Sequence, residues 1–235
     1  MRISIKNPAF LGSLVSVFNP LTVTGCKLWL KSDAGITKDG GNLVSQWNDQ
    51  SGQGNHLIQG TGTNQPLWVN SAYSSKPTIR FDGIDNYIGL AVFTGGAISQ
   101  PNTIFIVCTM PSATLRTVFD GTSSGGSTRH VFQRDGTTFQ LFAGAAPTFG
   151  TVNTAFAQFN VLFNTTASEV RRNKSSLSSG LNVGTETLDG FRLGANITPG
   201  QYADIDVSEL LIYNADVSDA DRDSIENYLQ TRWGL

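Results

Sequence analysis

From Lys27 onward the chain alternates short apolar runs with clusters of Gly, Asn, Asp, Ser and Pro. Runs of this length, many with every second position apolar and punctuated by turn residues, predict β-strands. They fall at 27–31, 43–47, 66–69, 76–81, 86–90, 102–110, 115–119, 129–134, 137–143, 156–163, 168–172, 187–194 and 203–213. Within 103–110, Ile104, Ile106 and Cys108 point one way and Phe105 and Val107 the other. A strand apolar on both faces belongs at the centre of a sheet covered on both sides. Asp135-Gly136, between Val131-Phe-Gln-Arg134 and Thr138-Phe-Gln-Leu-Phe142, predicts a hairpin with a type I′ turn. The period changes only near the end. Ser218-Asp-Ala-Asp221 resembles a capping box, and Ile225, Tyr228, Leu229 and Trp233 follow at helical spacing until Gly234. That predicts one short helix over about 218–231. The fold class expected is all-β: a two-sheet antiparallel jelly-roll sandwich with one short C-terminal helix.

Residues 1–24 share neither period. Pro8, Gly12 and Pro20 interrupt them, and Phe10, Leu11, Leu14, Val15, Val17 and Phe18 supply apolar surface without a pattern. This stretch is expected to be an N-terminal arm that anchors the chain, with residues 25–235 forming the sandwich. Arg2 and Lys6 before an apolar run look superficially like an export signal. The run is too short, Pro20 follows, and no small-x-small cleavage site is visible. Synthesis in the cytoplasm without Sec export is therefore expected, and no run approaches the ~18 apolar residues of a membrane span.

Composition narrows the partners. Only 14% of the 235 residues are charged, the net charge is −2, and no basic cluster stands out. Nucleic acid, which demands concentrated positive charge, is not expected as a partner. Two cysteines, Cys26 and Cys108, form either a pair of buried thiols or a single bridge, not a disulfide framework.

Four segments carry a family likeness: Leu28-Trp-Leu-Lys31, Trp47-Asn-Asp-Gln-Ser-Gly-Gln-Gly-Asn-His56, Phe81-Asp-Gly-Ile-Asp-Asn-Tyr87 and Ser208-Glu-Leu-Leu-Ile-Tyr-Asn214. In that order they resemble the laminin-G-like branch of the concanavalin A-like lectin/glucanase superfamily, from about Leu21 to Leu235. The resemblance implies the jelly roll and the closing helix. It implies no single activity, because lectins, adhesins, hydrolases and structural modules share this fold.

Three constellations bear on chemistry. Asp204-Ile-Asp-Val-Ser-Glu209 resembles the Glu-x-Asp-x-(x)-Glu of β-glucanases, whose retaining pair needs carboxyls ~5–5.5 Å apart. Asp204 stands where that resemblance wants a nucleophilic Glu, and its shorter side chain would withdraw the attacking oxygen. Asp206 and Glu209 then belong to a structural strand, and no catalytic residue and no enzymatic activity are expected. Asp49, Asp82 and Asp85 lie in oxygen-rich loops that either satisfy their own turns or hold a structural calcium, the one cofactor considered. His56 and His130, the two histidines, lack zinc-binding spacing. Trp68, Tyr73, Tyr87 and Tyr202 lie near loops or strand ends, where an aromatic ring stacks on the apolar face of a sugar.

The function expected is a non-catalytic virion surface protein, either capsid decoration or a tail or fibre component. Its lectin-like domain would bind host or environmental cell-surface glycans. Residues 1–24 would join it to copies of itself and to other virion proteins. A bacterial surface or secreted lectin or adhesin is the alternative, and a glycoside hydrolase using Asp204, Asp206 and Glu209 the second.

Overall fold

The structure, a computed structural model, describes residues 18–122 and 128–235. Among these the chain opens with a 3₁₀ turn, Pro20–Thr22, and then β1 (Cys26–Lys31), β2 (Ile36–Lys38), β3 (Val44–Trp47) and β4 (Leu57–Ile58). Next come β5 (Leu67–Tyr73), β6 (Lys76–Arg80), β7 (Ile88–Leu90), β8 (Asn102–Cys108), β9 (Arg116–Asp120) and β10 (Val131–Asp135). The last strands are β11 (Thr138–Phe142), β12 (Thr148–Phe149), β13 (Ala157–Phe163), β14 (Ser168–Arg172), β15 (Ser175–Leu181), β16 (Phe191–Leu193) and β17 (Asp206–Tyr213). A single helix, α1 (Asp219–Trp233), follows.

The strands form two antiparallel sheets, a jelly-roll sandwich as the sequence predicts. One sheet, of eight strands, runs β15-β14-β13-β8-β17-β6-β5, with β1 also paired to β17. The other, of nine, runs β12-β11-β10-β9-β16-β7-β4-β3-β2. Between them lies the main core, which includes Trp47, Ile104, Ile106, Phe119, Phe132, Phe159 and Phe191. A second apolar layer covers the outer side of the eight-stranded sheet, where Trp29, Phe105, Val107, Leu211 and Tyr213 meet Ile225, Leu229 and Trp233 of α1. Both sides of β8 are therefore buried, with Ile104, Ile106 and Cys108 inward and Phe105 and Val107 under the helix. No helix is long and apolar enough to cross a membrane among the described residues.

Local chemistry accounts for the helix. The Ser218 hydroxyl accepts the Asp221 amide at the N-terminus, and Gly234, at φ 70°, takes the left-handed conformation that ends it. Glu209 of β17 ties helix to sheet. Its fully buried carboxylate accepts the Trp29 Nε1–H at 2.7 Å, the Tyr228 hydroxyl at 2.9 Å and the Trp233 Nε1–H at 2.8 Å. Arg232 Nε lies 2.9 Å from the same group.

Four short or polar strands escape the sequence pattern: β2, β4, β12 and β15. The seven residues of β15, Ser-Ser-Leu-Ser-Ser-Gly-Leu, form a sheet edge and lack an apolar face because they bury almost nothing. The hairpin turn also differs from its predicted type. Asp135 pairs with Thr138, so Gly136 and Thr137 make the turn, and only Gly136 has positive φ (61°). That is the requirement of a type II′ turn, not I′. Cys26 and Cys108 are free thiols at opposite ends of β17, opposite Tyr213 and Val207, which rules out a bridge between them. Burial pushes the Cys26 thiol up to about 12.

Of the expected arm, Phe10, Leu11, Leu14, Val15 and Val17 lie outside the described residues. Phe18, partly buried, packs on its own chain, 6.1 Å from the ring of Tyr228. The Pro20 carbonyl accepts the Tyr213 hydroxyl at 3.1 Å, and Val23 is buried beneath. Residues 18–24 thus pack on the sandwich.

Candidate functional site

The outer face of the nine-stranded sheet carries no helix among the described residues, and strand alternation decides what it displays. With Leu57, Ile88, Phe191 and Leu193 turned inward, Ile58 and Arg192 face out. Register sets Ile58 opposite Gly89, Gly89 opposite Arg192, and Arg192 opposite Asp120, in one row across four strands. Gly89 leaves that row without a side chain at its second place. A hollow of about 270 Å³ results, bounded by Ile58, Tyr87, Leu90, Ala91, Thr122 and Arg192.

A parallel row runs Thr117, Gln133, Gln140 and Thr148. Phe132, Phe139 and Leu141 hold its strands from below. Gln133 Nε2 donates to Gln140 Oε1 at 2.6 Å, and the Thr117 hydroxyl lies 3.2 Å from the side-chain oxygens of both Gln133 and Gln201. A second hollow, about 250 Å³, opens here between Arg129, Gln133, Gln140, Phe142, Asn196 and Gln201.

Asp120 separates the hollows. Its carboxylate is fully buried, held by Arg129 through Nε at 3.1 Å and Nη2 at 2.6 Å, and by the Ile197 amide at 2.7 Å. Desolvation pushes its pKa up and the Arg129 guanidinium opposes that. Tyr87 and Tyr202 lie together with ring centres 6.5 Å apart, and the Arg192 guanidinium sits 4.9 Å above Tyr87. Arg192 Nε and Asn196 Oδ1 are buried with no partner among the described residues.

Of the four aromatics singled out in the sequence, the structure brings Tyr87 and Tyr202 together here and places the other two elsewhere. Trp68, at the edge of the eight-stranded sheet, donates its indole N–H to the Ser32 carbonyl at 2.8 Å. Tyr73 stacks flat on Phe156, 4.0 Å away. The residues that sequence reasoning missed are Asp120, Arg129, Gln133, Gln140, Arg192, Asn196 and Gln201. One signal was available: in Val131-Phe-Gln-Arg and Thr138-Phe-Gln-Leu, each Gln follows an inward Phe on a hairpin and must face outward.

The remaining candidates sit apart. Asp49 Oδ1 accepts the amides of Trp29 and Ser51, and Oδ2 accepts the Asn55 amide and the Ser51 hydroxyl. Asp82 Oδ1 caps the amides of Ile84, Asp85 and Asn86, and Asp85 accepts the Asn86 side-chain amide. Among the described residues no three His, Cys, Asp or Glu side chains gather as a metal site. Asp204 accepts the amide and hydroxyl of Ser112, and Asp206 forms a two-point pair with Arg80 at 2.8 Å. Glu209 is sealed beneath α1, so a sugar cannot approach its carboxylate.

No protein-family model matches the chain, and no curated protein matches it. Solved structures do. Trypanosoma rangeli sialidase in complex with sialic acid superposes with a TM-score of 0.60 at 14% identity, over 88% of this chain and 33% of that one. An arabinofuranosidase complexed with arabinofuranosyl-alpha-1,2-xylobiose gives 0.63 at 13%, over 81% and 51%. The botulinum neurotoxin serotype D ligand binding domain in complex with N-acetylneuraminic acid gives 0.63 at 9%, over 89% and 52%. The chain thus spans about a third to a half of these structures, and the likeness at such identities is one of fold. Two of the three are enzymes. That overturns the expectation of a chain without enzymatic activity, since proteins that carry this sandwich include glycosidases.

Proposed function

We propose that the chain is a glycan-recognition module that binds sugar on the outer face of its nine-stranded sheet. The observation that carries this reading is the Tyr87–Tyr202 pair beside the amide row Gln133–Gln140. Pyranose rings combine apolar C–H faces with rims of hydroxyls, so they call for aromatic rings next to side chains that both donate and accept. The two hollows, each near the size of a single sugar unit, and the unpartnered Arg192 Nε and Asn196 Oδ1 support it further. So does the company of the fold, since all three solved structures above contain a bound saccharide or sialic acid.

For its setting we propose the surface of a virion. Support comes from the sequence alone, through residues 1–24 as an anchoring arm; none of the three solved structures is a virion protein. In that setting the arm would join the module to copies of itself and to virion proteins, leaving the nine-stranded face outward.

The test is a glycan array followed by calorimetry on the best ligand. Tyr87→Ala should weaken binding by about tenfold or more, the worth of one lost stacking contact with its packing. Gln140→Ala should weaken it by a similar factor, and Trp68→Phe, away from the face, should leave it intact. Full affinity in both Tyr87→Ala and Gln140→Ala would remove the site from this face.

A further inference from the structure

The hollow beside Tyr87 holds a cation that makes no ion pair among the described residues. Arg192 spends Nη1 on the carbonyls of Asn196, at 2.9 Å, and Ile197, while Nε is buried without a partner and Nη2 donates to nothing among the described residues. Asp120, its neighbour in the strand register, is already committed to Arg129 and the Ile197 amide. Among the described residues no carboxylate forms an ion pair with Arg192. The side chain is therefore fixed by two carbonyls, with Asp120 acting on its charge only from a distance and shared with Arg129, next to a cavity whose floor, Gly89, has no side chain to fill it. The ring of Tyr87 flanks the guanidinium and Ile58 stands across the glycine, so the charge sits in a partly apolar recess where its field is poorly screened. Burial pulls the Arg192 pKa down, in keeping with a cation that lacks a full counter-charge.

We propose that the glycan taken by this face is acidic, with a sugar carboxylate seated against Arg192 in the Ile58–Gly89–Tyr87 hollow. This rests on the reading of the face as a sugar site and adds the class of sugar. A carboxylate would accept from Nη2, the donor Arg192 leaves uncommitted, and a hydrogen bond between two charged partners is about twice as strong as a neutral one. Uronic acids and sialic acids both offer that group on a ring small enough for the hollow, and the remaining hydroxyls would meet Tyr202 and the amide row.

The experiment measures affinity for two matched pairs: oligogalacturonate against its methyl ester, and sialyllactose against its methyl ester. At least one acid should bind about tenfold or more tightly than its ester, the worth of one charge-assisted hydrogen bond, and added salt should erode the difference. The pair that shows the preference identifies the source of the carboxylate. In Arg192→Met the acid-to-ester ratio should collapse toward one. Ile58→Glu, at an exposed position across Gly89, should do the same by offering Arg192 an internal carboxylate, and it guards against a folding defect in the first variant. Equal binding of acid and ester in both pairs, or a ratio that survives both substitutions, would overturn the acidic class while leaving a sugar site in place. Absence of binding to all four, in a protein whose array shows only other glycans lost in Tyr87→Ala, overturns the acidic class alone. An array without any Tyr87-dependent ligand overturns the face itself.

Discussion

Single residues in this sandwich do opposite things with the same polar chemistry. His130 is buried, stacked 4.2 Å from Phe163, with Nε2 at 2.8 Å from the Glu186 carbonyl and Nδ1 unpartnered. Burial lowers its pKa from 6.5 to about 4, so the ring is neutral when folded. An unfolded chain takes up that proton first as pH falls. The stabilisation is therefore complete above pH 6.5, shrinks through the interval down to about 4, and is gone below it, a swing of roughly 3 kcal/mol. Asp120, Glu209 and Glu226, whose pKa values burial raises, act in the reverse sense. The clean measurement is thus a difference: urea melts of the protein and of His130→Phe at pH 7.5, 5.5 and 4. The advantage of the histidine form should shrink steadily with pH, and parallel curves would deny its titration. Arg192 is the contrasting case, a side chain held by two backbone carbonyls and without an ion-pair partner among the described residues.

At the scale of elements, the helix and the sheet beneath it are one unit because of Glu209. A buried carboxylate is stabilising only when its acceptors are filled, and here two indoles and a phenol donate to it while the Arg232 guanidinium offsets its charge. Glu209→Gln keeps the volume but removes the charge facing Arg232 and turns an acceptor into a donor facing indole N–H groups. It should cost about 3–5 kcal/mol in chemical denaturation. Trp233→Ala should cost a similar ~3–5 kcal/mol through lost packing, and Trp233→Phe distinctly less; equal losses in both would locate the contribution in the hydrogen bond. The helix was legible in the sequence from Ser218 to Gly234, as was β8 with its two apolar faces. Strand β15 was not, because an exposed Ser-rich edge has no inward face to impose alternation. The candidate site was legible only through Tyr87 and Tyr202. Its amides and Arg192 are ordinary surface residues until pairing register sets Gln133 beside Gln140 and Gly89 beside Arg192, and register is a property of strands distant in sequence.

As a whole molecule the protein has two unlike outer faces: the eight-stranded sheet is closed by α1, and the nine-stranded sheet displays polar and aromatic side chains over its hollows. The same asymmetry orders events in time. Strand β17, the last of the chain, is a shared partner of β1, β6 and β8. Cys26 has no ladder partner until Tyr213 exists, and β8, apolar on both sides, has only half its neighbours. On a ribosome the sandwich therefore waits as an open, sticky intermediate until β17 has emerged. Pairings this distant favour refolding in milliseconds to seconds rather than microseconds. A nascent chain stalled at residue 205 should be cut rapidly by protease, whereas one carried past 235 on a linker long enough to clear the exit tunnel should resist. Resistance in the shorter chain would mean that the earlier strands close without their keystone. Such a protein would depend on holding chaperones during translation far more than its final stability suggests.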